Sequence, residues 1–194
     1  MMKIQKSILL TALNAGLSLW FIACSENNQN EKSTVETLEN QDNQSKALIE
    51  VPTKTDLIDG YLEIKSALTN DDSAGAVNAA AHLEKIVQTI TFKSLTQDQL
   101  NEVNADLEII KEHSEQIKKN EIDLQIMHFE GMGENLQNLL SIVGSDRILY
   151  QQKCPMFNKN EGGMWLSENQ QISNPLFKGK MSSCGSVKEV IEAG

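Results

Sequence analysis

Cys154-Pro155-Met156 and Met181-Ser182-Ser183-Cys184 place two cysteines about thirty residues apart, each with a methionine two or three positions away. Thiolate and thioether are soft ligands, and soft ligands select monovalent copper over oxygen-loving cations. The only other cysteine of the 194-residue chain, Cys24, stands near the N-terminus and has a separate use there. Two readings of the pair stay open. Cys154 and Cys184 are thiolate ligands for Cu(I) or Ag(I), with Met156 and Met181 supplying thioethers, or they are a disulfide. A bridge closing a loop of about thirty residues is worth roughly 3 kcal/mol on the loop-entropy model. The methionines likewise read as soft ligands or as plastic filler of a small core. Met164, beside Trp165, reads as packing.

His128 is the histidine placed to join such a site. It lies four residues before Met132, so both fall on one side of a helix beside its apolar seam. That pair presents an imidazole and a thioether to the C-terminal segment, or His128 is simply capped by a backbone carbonyl at the edge. His82 and His113 fall on polar or mixed helical positions and read as surface residues. For catalysis there is little to stand on. The two cysteines are not in a CxxC arrangement, there is no local Ser/His/Asp or Cys/His signature, and a Cys154–His128 nucleophile would depend on the two meeting in space. The expectation is a protein that is not an enzyme.

The N-terminus bears on the redox state of these sulfurs. Lys3 and Lys6 precede an apolar run from Ile8 to Ala23, broken by Thr11, Asn14 and Ser18. That is a charged region followed by a short apolar one, the pattern of an export signal rather than of a membrane span. Its end, Phe21-Ile22-Ala23-Cys24-Ser25, resembles a bacterial lipoprotein cleavage box, in which the cysteine is lipidated and becomes the mature N-terminus. Phe21 departs from the usual leucine of that box. Ser25 in place of aspartate does not suggest retention at an inner membrane. The expected location is the cell envelope, as a periplasmic or outer-membrane lipoprotein held to the membrane by its lipid. Such a compartment lacks the cytosolic thiol-reducing systems, which keeps the disulfide reading open.

The formal net charge is −10, and Lys3 and Lys6 leave with the signal, taking it to −12. A balance this negative argues against nucleic acid as a partner, since that needs clustered Lys and Arg. From Cys24 to about Pro52 the chain is rich in Glu, Asn, Gln, Ser and Lys with few apolar residues. It buries too little to offset its ordering entropy and reads as a flexible tether. The division is therefore residues 1–23 as signal, 24–52 as tether and 53–194 as one folded domain.

The elements that position the ligands follow from hydrophobic spacing. Leu57, Tyr61, Ile64 and Leu68 mark a first helix ending at Asn70-Asp71-Asp72. Ala76, Ala80, Leu83, Val87 and Ile90 mark a second, whose alanines admit a close neighbour. Thr96-Gln97-Asp98-Gln99 reads as a capping box opening a third, with Leu100, Val103, Leu107, Ile110, Ser114 and Ile117 on its stripe. Ile122, Ile126, Phe129, Gly133, Leu136, Leu140 and Val143 mark a fourth, at the alternating four-three spacing of antiparallel packing. Short connections make neighbours antiparallel, so the expected fold is all-α: an antiparallel four-helix bundle. From Arg147 onward the helical period fails, and Pro155 and Pro175 stand among five glycines. This region is expected to be a loop-rich cap with short strands near Ile148-Leu149-Tyr150 and Met164-Trp165-Leu166. A short helix around Ser186 to Ile191 is expected to end it. A cap of this kind needs a staple, either a disulfide or a metal.

Four blocks in the cap carry a resemblance to a known family. They are Tyr150-Gln151-Gln152-Lys153-Cys154-Pro155-Met156, Gly163-Met164-Trp165-Leu166-Ser167, Ile172-Ser173-Asn174-Pro175-Leu176-Phe177 and Met181-Ser182-Ser183-Cys184-Gly185-Ser186-Val187. With His128-Phe129-Glu130-Gly131-Met132, Tyr61-Leu62, Ala67-Leu68 and Asp71-Asp72 upstream, the chain resembles the domain-of-unknown-function 3347 family over roughly residues 55 to 190. Leu176 departs from the aromatic usual after Asn-Pro, and Lys178-Gly179-Lys180 is more charged than is usual. The resemblance implies heavy-metal handling rather than catalysis, because such domains occur alone or beside periplasmic adaptor subunits of copper/silver efflux pumps. It implies Cys154, Met156, Met181 and Cys184 as metal ligands, with His128 as a further one. Cu(I) is the cofactor it implies, and an efflux adaptor or another envelope protein the partner.

Overall fold

The computed structural model describes residues 51–177, 179 and 181–194. The expected export signal, the expected lipidation residue Cys24 and the expected tether up to residue 50 lie outside the described residues. Four long helices come first: α1 (Lys54–Thr69), α2 (Ser73–Thr89), α3 (Gln97–Lys119) and α4 (Ile122–Val143). Each of the first three starts where a side chain satisfies backbone N–H groups left open by the first turn. The capping box at Thr96 and Gln99 is present, and Thr53 with Asp56 forms a second one. Asp72 caps α2 by accepting from the Gly75 amide at 2.8 Å.

Neighbouring helices in sequence pack on one another in turn, α1 on α2, α2 on α3 and α3 on α4. The apolar stripes meet in one core in which Leu57, Ile64, Leu83, Val103, Phe129 and Leu136 are almost wholly removed from water. Burial of side chains this size, at roughly 1.5–3 kcal/mol each, is the main favourable contribution. The small residues fix the spacing. A Cβ at Gly60 would stand 3.1 Å from Leu83 Cδ1, so α1 and α2 approach more closely than larger residues allow. Ser114, the one polar member of the α3 stripe, donates to the Ile110 carbonyl at 2.8 Å and so needs no partner from another helix. Among the described residues no helix is long and apolar enough to cross a membrane.

The C-terminal region departs from the all-α expectation. It contains a three-stranded antiparallel sheet of β1 (Leu149–Cys154), β2 (Gly163–Ser167) and β3 (Ser186–Ile191), in the order β2-β1-β3. The fold is therefore mostly helical with a small sheet. β1 pairs with β2 from Tyr150↔Ser167 to Cys154↔Gly163. It pairs with β3 from Leu149↔Ile191 to Lys153↔Ser186, with an irregularity between Gln151 and Gln152. The short helix expected at Ser186 to Ile191 is thus a strand. Val187, Val190 and Ile191 sit at helical spacing, yet all three are β-branched and suit a pleated edge. The ladder offered by β1 satisfies the backbone of this segment and decides the matter.

Strand β2 is tied to the helices through Leu166 and Met164, and β1 and β3 through Gln137 on α4, which bonds Gln151 and Glu189. The Leu166 amide donates to Tyr61 Oη at 3.1 Å, and Tyr61 stacks on Phe129 with ring centroids 4.7 Å apart. The Met164 amide donates to Glu130 Oε1 at 3.3 Å. Met164 Sδ lies against Gly133, where a Cβ would come within 2.7 Å of it, so the glycine on α4 is the recess that receives β2.

Candidate functional site

Cys154 ends β1, and Cys184 stands two residues before β3, which pairs with that same end of β1. The sheet therefore brings the two together, with Cα atoms 5.5 Å apart, and their sulfurs are bonded to each other. That separation is ordinary for a disulfide. Cys154 is fully buried. The loop bringing Cys184 in is organised by Asn174, which is itself buried. Its Nδ2 donates to the Cys184 carbonyl at 2.8 Å, its backbone N–H to the Ser182 carbonyl, and its Oδ1 accepts from the Leu176 amide at 2.7 Å. Gly185 then takes φ +143, and a Cβ there would stand 3.0 Å from Trp165 Cη2. Only glycine lets the chain turn this closely over the indole. Trp165, also fully buried, donates its Nε1–H to Gln152 Oε1 at 2.8 Å, and Gln152 Nε2 donates to the Asn169 carbonyl at 2.7 Å.

The methionines divide. Met156, two positions after Cys154, is 52 % exposed and fills no core. Met181 is partly buried. In this disulfide-bonded form neither cysteine is a thiolate, so the sulfurs of the set do not fit a Cu(I) ion. Two thioethers remain, one of them in open solvent. Among the described residues no group of three or more His, Cys, Asp or Glu side chains is arranged to hold a metal ion.

His128 is placed elsewhere. On α4 it faces α3, and its Nδ1 lies 3.2 Å from Nδ1 of His113. Met132, expected on the same side, is fully buried in the core. Both imidazoles are partly buried, in a surface depression also lined by Glu112, Glu115 and Gln116. Burial holds the pKa of His113 below the usual imidazole value, the neighbouring His128 lowers it further, and Glu112 opposes both. Burial also lowers His128. His113 was expected to be a plain surface residue, and the structure corrects this. The signal that could have found the pair is antiparallel register across the α3–α4 turn, which brings residues fifteen apart together. His82 fits its expectation, exposed and beside the equally exposed Glu63 at 3.1 Å.

Three further titratable groups sit at the junction of helices and sheet. Burial raises the Glu130 carboxyl, against the bond from the Met164 amide. Burial raises the Tyr61 hydroxyl well above its ordinary range, and burial lowers Lys65 against the attraction of Glu168. Each makes or faces a contact that joins the two parts, so their shifts are accounted for by structure.

The family model for a protein of unknown function, DUF3347, matches residues 57–147. The match runs from the first turns of α1 to the residues just before β1, and the Cys/Met blocks of the sheet lie beyond it. No curated protein and no solved structure matches the chain.

Proposed function

We propose that this chain, whose residues 57–147 belong to the DUF3347 family, is an exported, lipid-anchored structural or protein-interaction module of the cell envelope and not an enzyme. In this reading the helices act as an antiparallel four-helix bundle, and the C-terminal sheet is its cap. The Cys154–Cys184 disulfide carries the reading, because it occupies both thiols of the domain in holding that cap together. A small irregular sheet has little core of its own and needs such a staple. Cys24 supplies the lipid that holds the module at the membrane, where it meets an envelope partner.

A second reading is favoured by one observation, the exposure of Met156. A methionine left in water beside a cysteine gains nothing as filler. On reduction, Cys154 and Cys184 with Met156 and Met181 would offer two thiolates and two thioethers to Cu(I) or Ag(I). The protein would then sequester the ion or hand it over, with a metal-efflux adaptor as the natural recipient.

The test is a thiol count on the purified, unreduced full chain, followed by anaerobic Cu(I) titration against a chromogenic chelator. The module reading expects no free thiol at 154 or 184 and no competition with the chelator. Two free thiols, with one Cu(I) retained and then lost in Cys154→Ser/Cys184→Ser, would overturn it in favour of the metal reading.

A further inference from the structure

The pair His113–His128 is held by two long helices rather than by loops, so its geometry is set by the packing of α3 on α4. Gly131 is what admits it. A Cβ there would stand 2.9 Å from Cε1 and 3.0 Å from Nε2 of His113, so any larger residue would push that ring off its seat. With the Nδ1 atoms 3.2 Å apart and the ring centroids 5.5 Å apart, the two nitrogens face each other. One Nδ1–H donates to the lone pair of the other.

We propose that His113 and His128 form a two-imidazole site for a borderline divalent transition-metal ion, Cu(II) binding more tightly than Zn(II). An ion about 2.05 Å from two nitrogens holds them about 2.9 Å apart at the right angle of tetragonal Cu(II) and about 3.3 Å apart at the tetrahedral angle of Zn(II), and the metal-free pair, at 3.2 Å, lies between the two. Imidazole suits copper, zinc and nickel, and Cu(II) tops the affinity order for nitrogen sites. Burial lowers the pKa of both rings, which favours the neutral form that a metal needs. Binding needs both Nδ1 lone pairs, so one ring changes tautomer, its proton moving from Nδ1 to Nε2. The rings tilt until the two lone pairs converge, no net proton is released, and nothing is oxidised. Glu112 and Glu115, which line the same depression, attract the cation, and water completes its coordination. This site is independent of the cysteines, and of either reading of them.

The experiment is titration of the purified full chain with Cu(II), and separately with Zn(II), against a chromogenic indicator, together with electron paramagnetic resonance of the copper form. One Cu(II) per chain is expected, with a spectrum of two equatorial nitrogens. His113→Gln or His128→Gln should each weaken binding by about tenfold or more, and the double variant should remove it. Gly131→Ala should weaken it with both imidazoles still present, and His82→Gln should leave it unchanged. Far-ultraviolet circular dichroism checks that each variant is folded, and the wild-type spectrum stands without any variant. Absence of binding by the wild type, binding retained in the double variant, or copper without nitrogen ligands would each overturn the proposal.

Discussion

The sheet's sulfurs and the helices' imidazoles are the two places where this chain gathers metal-ligating side chains, and they are held by different means. Cys154 and Cys184 are brought together by strand pairing and then joined covalently, with the bond buried at the Cys154 end. His113 and His128 are brought together by helix packing and stay partly exposed in a surface depression, their Nδ1 atoms 3.2 Å apart. The difference teaches that ligand chemistry and ligand availability are separate matters. The stronger donor set by residue type is spent on cohesion. The weaker one is held by packing and a hydrogen bond, with no covalent tie.

The comparison is most sharply broken at the disulfide. Cys154→Ser/Cys184→Ser is expected to cost about 3–4 kcal/mol on the loop-entropy model, lowering the melting temperature by roughly 10 °C. Hydrogen exchange should show the loss concentrated in β1 and β3, with α3 and α4 still protected. Equal loss of protection in α3 and α4 would mean that the staple supports the whole domain and not the sheet.

A smaller effect is expected where the two regions meet. Tyr61→Phe keeps the ring stacked on Phe129 but leaves the buried Leu166 amide without its acceptor, at a cost of about 1–3 kcal/mol. Thermal unfolding would give the total, and faster exchange of the Leu166 amide would assign it. If stability fell by less than that range and the amide stayed protected, the contact would not be what ties β2 to α1.

Acidification separates the regions by sign. His113 and His128 have folded pKa values below the ordinary 6.5, so the unfolded chain takes up protons first. Their contribution is complete above about pH 6.5 and is lost as the pH falls towards the lowered folded values. Glu130, raised above 4.5, acts oppositely, because protonation relieves a carboxylate held in a partly buried place. Denaturant unfolding between pH 7 and 5 should therefore show falling stability, and the slope should flatten in His113→Gln/His128→Gln. An unchanged slope in that variant would place the pH dependence elsewhere. The smallest effect is expected for His82→Gln, within about 0.5 kcal/mol, since ring and partner are both exposed.

The helices were legible because their signals are local. Leu57, Tyr61, Ile64 and Leu68 lie on one face whatever the rest of the chain does, and Thr96 with Gln99 makes its box within one turn. The box of Thr53 and Asp56 was equally local, with aspartate where glutamate or glutamine is usual at its third position. Ser186 to Ile191 reads as a helix because its apolar positions 187, 190 and 191 fit helical spacing. What makes the segment a strand is a partner some forty residues earlier. The sequence around His113 reads as surface because its neighbours are polar, while its partner lies on the next helix.

Four helices, the capping box that opens the third, the apolar seams between them and the presence of two Cys/Met pairs follow from the sequence alone. They do so because interactions three or four residues apart depend only on residue type and spacing. Only the tertiary structure decided that Cys154 meets Cys184 as a disulfide, that Met156 is left in water, and that His128 turns to His113. Each of those depends on which distant segments a ladder or a helix register brings within a few ångströms, and that is settled by the packing of the whole domain.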